Sequence, residues 1–141
     1  MDNLLTAIVM WLSANLGLPA IHDHPRIELA PPSAMVAVRL GGGMAPSVSG
    51  RELEALYDDR SRTIYLPTGW TGASPAELSV LVHEMVHHLQ NVAGLRYDCP
   101  QARERPAYVA QEKWLELFGR NLMDAFELDP LTVLVRTKCM H

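Results

Sequence analysis

At 141 residues, 48% of them apolar and 20% charged, the chain is sized for one domain, residues 1–141, around one hydrophobic core, and its composition excludes disorder. A net charge of −4 with no cluster of Lys and Arg excludes an electrostatic footprint for nucleic acid. No apolar run reaches the roughly 20 residues that a membrane span requires.

The first expected element is an amphipathic helix within residues 4–18. Leu4, Leu5, Ile8, Trp11, Leu12 and Leu16 recur at helical spacing, and Gly17 is the stop. The segment is not read as a secretory leader, because Asp2 is acidic and no Lys or Arg precedes Arg26. Residues 19–32 are rich in turn formers and contain His22, Asp23 and His24, which a Pro-flanked loop leaves in solvent. Residues 35–40 read as a strand halted by Gly41, Gly42 and Gly43. That triple glycine lacks the Gly-Lys-Ser/Thr of a phosphate loop. Residues 52–57 and 63–66 are two strand-like runs around a polar turn and predict a β-hairpin. An exposed edge on the second strand would be placed to hold an extended peptide.

The most informative segment follows. Ser74, Pro75 and Glu77 form a helix start with an N-cap, a first-position proline and a capping-box glutamate, and Gly94 supplies the stop. On this helix Leu78, Leu81, Val82, Met85, Val86, Leu89 and Val92 share an apolar face, with His83 and His87 on nearly the opposite side. His88 leans toward the apolar face and is expected at the edge of the core. His83, Glu84 and His87 read H-E-x-x-H. Histidines four apart lie one turn above each other and reach a single metal ion. Glu84 projects about 100° away and is left to handle a proton. The next helix is expected over residues 101–118, ending near Gly119, and Asp129 with Pro130 starts a short terminal helix.

A catalytic zinc takes three protein ligands and keeps one open position. Glu104, near the start of the second helix, is the expected third ligand. Small Ala107 one turn later lets the helices approach, and Tyr108 and Gln111 share the face of Glu104. Asp98, Glu112 and Glu116 are the competing carboxylates. Cys99 and Cys139 do not have zinc-knuckle or redox spacing. Joined, they would close a loop of about 40 residues, worth roughly 4 kcal/mol on the chain-entropy model. A bridge implies an exported or periplasmic protein, and two free thiols a cytoplasmic one.

His83-Glu84-Met85-Val86-His87 followed by Glu104-Arg105-Pro106-Ala107 resembles the H-E-x-x-H plus E-x-x-A signature of gluzincin zinc metallopeptidases, in particular the compact single-domain minigluzincins. The resemblance covers roughly residues 60–120. It implies an α+β, zincin-like single domain, with a small sheet and hairpin packed against the active-site helix and a second ligand-bearing helix. It also implies Zn2+ on His83, His87 and Glu104, Glu84 as general base, and a peptide or protein substrate. Tyr65, Tyr97 and Tyr108 are the candidates for steadying the oxyanion. The rival reading is a metal-binding domain of the same fold that no longer cleaves and acts as a partner or regulatory module. The intact Glu84 speaks against it.

Overall fold

The computed structural model describes residues 1–31, 33–34 and 55–139. Among them the chain forms an α+β fold of five helices and a three-stranded sheet. In order these are α1 (Asp2–Leu16), β1 (Arg26–Ala30), β2 (Leu56–Asp58), β3 (Thr63–Pro67), α2 (Pro75–Val92), α3 (Pro100–Glu116), α4 (Leu122–Phe126) and α5 (Pro130–Thr137). The expected strand at residues 35–40 and its glycine turn lie outside the described residues. No described helix is long and apolar enough to cross a membrane.

The sheet order is β1-β3-β2. β2 and β3 form the expected hairpin, with Leu56 opposite Tyr65 and Asp58 opposite Thr63. β1 was not expected. Arg-Ile-Glu-Leu-Ala alternates as a strand should, but it is five residues long and stands between prolines, so turn formers mask it. It runs parallel to β3, pairing Ile27 with Ile64 and Leu29 with Leu66. β3 is therefore paired on both sides and is a central strand, not the free edge expected before the histidine-bearing helix. Ile64 and Leu66, fully buried, carry it into the core.

The helix ends follow their local chemistry. α1 stops at Gly17, whose φ of 67° lies in the left-handed region. Ser74 caps α2 by accepting from the Glu77 N–H at 3.1 Å. Glu77 reaches back past Ser74 to accept from Ala73 N–H at 3.0 Å, a displaced form of the expected capping box. At the other end Gly94 has φ 66°, Leu95 N–H reaches Gln90 C=O, and Gly94 N–H reaches Asn91 C=O, the paired bonds of a Schellman stop. Asp129 caps α5 through Thr132 N–H, as Asp-Pro predicts. α3 begins at Pro100, capped by Cys99, whose sulfur accepts from Ala102 N–H at 3.3 Å. α4, a single short turn capped by Asn121, has too few residues to show a helical period and was not expected.

Leu81, Val82, Met85, Val86 and Leu89 are buried on the sheet side of α2, together with Leu5, Ile8 and Leu12 of α1. The flanking Leu78 and Val92 are half-buried. The opposite side of α2 is buried as well, because α3 packs along it in the most extensive helix–helix contact among the described residues. Ala107 and Ala110 are fully buried in that packing, in keeping with the close approach expected at Ala107. α5 in turn packs on α3. Cys99 and Cys139 are joined by a disulfide with Cα atoms 5.8 Å apart, tying the end of α5 to the start of α3.

A candidate metal centre

The helical period of α2 puts His83 and His87 one turn apart, their rings in edge-to-face contact with centroids 5.2 Å apart. α3 brings Glu104 to both. The Nε2 atom of His83 lies 2.9 Å from one Glu104 carboxylate oxygen, and that of His87 lies 2.9 Å from the other. Ligand atoms of all three residues fall within 4.8 Å of one another, and they form the candidate metal-binding cluster among the described residues.

Backbone carbonyls fix which ring nitrogen carries hydrogen. Ser79 donates its hydroxyl to Ala76 C=O at 2.7 Å, so its oxygen accepts from Gln111 Nε2. The Gln111 carbonyl therefore faces His83 Nδ1, at 2.8 Å, and that nitrogen must donate. Gln90 Nε2 donates to Arg103 C=O at 3.0 Å, which turns the Gln90 carbonyl to His87 Nδ1, also at 2.8 Å. Both imidazoles are thus held by their outer nitrogen, and both present Nε2 to the space shared with Glu104. Outer hydrogen bonds of this kind orient metal-ligating histidines. A tetrahedral zinc with bonds of about 2.0–2.2 Å sets its ligand atoms roughly 3.4 Å apart, within the reach of this cluster. Two imidazoles and one carboxylate are a donor set that zinc accepts. The residues fit the ion.

The electrostatics express the same convergence. Burial opposes charge on His87, but Glu104, with a contribution from Glu84, outweighs it and raises the imidazole to about 9. Burial likewise opposes ionisation of Glu104, yet the two histidines hold its carboxyl well below the usual carboxylate range. Glu84 is buried beside the cluster, and its charge reaches both His87 and Tyr108. The remaining carboxylates are placed elsewhere. Glu112 accepts from Leu122 N–H at the start of α4, and Asp98 and Glu116 are exposed.

The three tyrosines separate. Tyr65 lies on β3. Tyr97 accepts from Gln90 Nε2 at 3.2 Å. Tyr108 packs edge-on against His83, with ring centroids 4.8 Å apart, and its hydroxyl accepts from Arg136 of α5. Accepting there leaves the Tyr108 proton to donate.

His88 faces away from the cluster. Its Nε2 donates to the Asp23 carbonyl, and its Nδ1 accepts from the Tyr57 hydroxyl at 2.9 Å. Burial pushes its pKa down. It is fully buried, further inside than the core edge expected of it. Of the His22, Asp23 and His24 trio, the first two are exposed as expected, while His24 is half-buried against Thr6 and Asp2; Asp23 C=O serves His88 and its carboxylate pairs with Arg62 at 3.4 Å. Gln90 is one site residue that the sequence did not single out. Its signal was its place three residues after His87, one turn along the same face.

The family model described as "Domain of unknown function (DUF6647)" matches residues 1–141. The chain belongs to the DUF6647 family. No curated protein and no solved structure matches it.

Proposed function

We propose that this chain is a zinc-dependent peptidase of gluzincin type, a zincin-like domain in which His83, His87 and Glu104 hold the ion. The observation that carries the reading is the shared orientation of the two imidazoles, each fixed by a glutamine at Nδ1 so that Nε2 meets Glu104. Zinc bound there would supply a Lewis acid that acidifies water and polarises a peptide carbonyl. Glu84, one residue from His83 and buried beside the cluster, takes the proton from the attacking water and passes it to the leaving amine. Tyr108 is the donor available to the oxygen that gains charge at the carbonyl. The substrate is a peptide or protein. The Cys99–Cys139 bond favours an exported or periplasmic setting, since a reducing cytoplasm does not preserve such bonds.

Glu84→Gln keeps the shape of the side chain and removes the base. In the zinc-loaded protein it should lower cleavage of a peptide library by at least about 100-fold while zinc stays bound. Equal cleavage by the wild type and the variant would contradict the assignment. No cleavage by either would favour the non-cleaving module.

A further inference from the structure

Arg103 directly precedes Glu104 and spends its side chain on the other half of the site. Its guanidinium forms a two-pronged pair with Asp59, Nη1 and Nη2 donating at 2.8 and 2.6 Å. Nε donates to Gln90 Oε1 at 3.2 Å, the same oxygen that receives His87 Nδ1–H. Nη2 also reaches the backbone carbonyl of His87 at 3.3 Å. In return Gln90 Nε2 donates to the Arg103 carbonyl. Asp59 sits in the turn between β2 and β3, and Asn91 Nδ2 holds its backbone carbonyl at 2.9 Å.

Gln90 therefore touches one histidine ligand and the backbone beside the carboxylate ligand, and Arg103 anchors that joint to the hairpin. We propose that Gln90, Arg103 and Asp59 form a positioning brace that sets the spacing of His87 and Glu104, so that metal affinity is governed in part from the β2–β3 turn. The proposal rests on the zinc site argued above. The Arg103–Asp59 pair is partly exposed, with side chains 28% and 47% accessible, and a pair of that kind adds little to stability by itself. Its effect is geometric. Zinc sites require ligand distances held to about 0.2 Å, and two ligands on separate helices need a link to keep them there.

The test is zinc affinity by chelator competition on the full chain, read beside thermal unfolding of the metal-free protein. Gln90→Leu should weaken zinc by about 10- to 100-fold. Gln90→Glu keeps the acceptor for His87 and Arg103 Nε but loses the donor to the Arg103 carbonyl, so it should recover only part of that loss. Asp59→Ala acts on the ligands only through Arg103 and should weaken zinc by a smaller factor, with metal-free unfolding nearly unchanged. In the zinc-loaded wild type the His87 Nδ1–H should appear as a slowly exchanging proton in NMR spectra, and Gln90→Leu should lose it. Wild-type affinity in both Gln90→Leu and Asp59→Ala would overturn the brace and leave the metal site standing. A wild-type protein that takes up no zinc would overturn both.

Discussion

His87 and His88 are neighbours on α2, and both are buried, yet they occupy opposite chemical situations. His88 is closed: one nitrogen donates to the Asp23 carbonyl and the other accepts from Tyr57. His87 has one nitrogen tied to Gln90 and the other turned to Glu104, in company with His83. Burial lowers the pKa of His88, while for His87 the carboxylate overrides burial. Burial and residue type do not distinguish a structural histidine from a ligand. What distinguishes them is whether a ring nitrogen remains directed at other donors.

The largest effect should come from breaking the directed nitrogen. His87→Ala and Glu104→Ala should each abolish stoichiometric zinc binding, measured by elemental analysis after dialysis. Glu112→Ala and Glu116→Ala should leave it intact, because neither carboxylate joins the cluster. If Glu112→Ala or Glu116→Ala lost the metal and Glu104→Ala kept it, the assignment on α3 would be wrong.

His88→Ala should do the converse. It leaves the Tyr57 O–H without its acceptor and the Asp23 carbonyl without its donor, a cost of about 1–3 kcal/mol in chemical denaturation. Zinc affinity should remain that of the wild type. A large loss of zinc without loss of stability would place His88 in the site and erase the contrast.

A smaller effect should appear in the pH dependence of the metal-free protein. His87 has a folded pKa of about 9, above its ordinary 6.5, so its contribution to stability is complete below about 6.5 and is lost as pH rises through about 9. His88 has a lowered folded pKa, so its contribution is complete above about 6.5 and is lost as pH falls below that value. Glu104, ionised in both the folded and unfolded states between these limits, does not alter the slope. Denaturant midpoints should therefore peak near neutrality and decline on both sides. A midpoint that rose steadily from about pH 6.5 to 9 would contradict the state given to His87.

The elements that carry the site were legible because their signals are local. Ser74-Pro75 and Gly94 bracket α2, Asp129-Pro130 starts α5, and the four-residue spacing of His83 and His87 fixes a shared face. Glu104 followed from the need for a third ligand and from the small Ala107. What escaped depends on the partner elements. The parallel pairing of β1 with β3 is non-local and leaves no mark in the five residues of β1. The burial of the histidine side of α2 comes from α3, which no period within α2 can announce. Gln90, Arg103 and Asp59 meet only after two helices and a hairpin converge, and singly they read as ordinary polar residues.

The proposed zinc site of His83, His87 and Glu104 is tested most directly by crystallography of zinc-loaded protein with data across the zinc absorption edge. The predicted result is a single anomalous peak with His83 Nε2, His87 Nε2 and a Glu104 carboxylate oxygen at about 2.0–2.2 Å. A peak coordinated through Asp98, Glu112, Glu116 or His88, or no peak between α2 and α3, would contradict it.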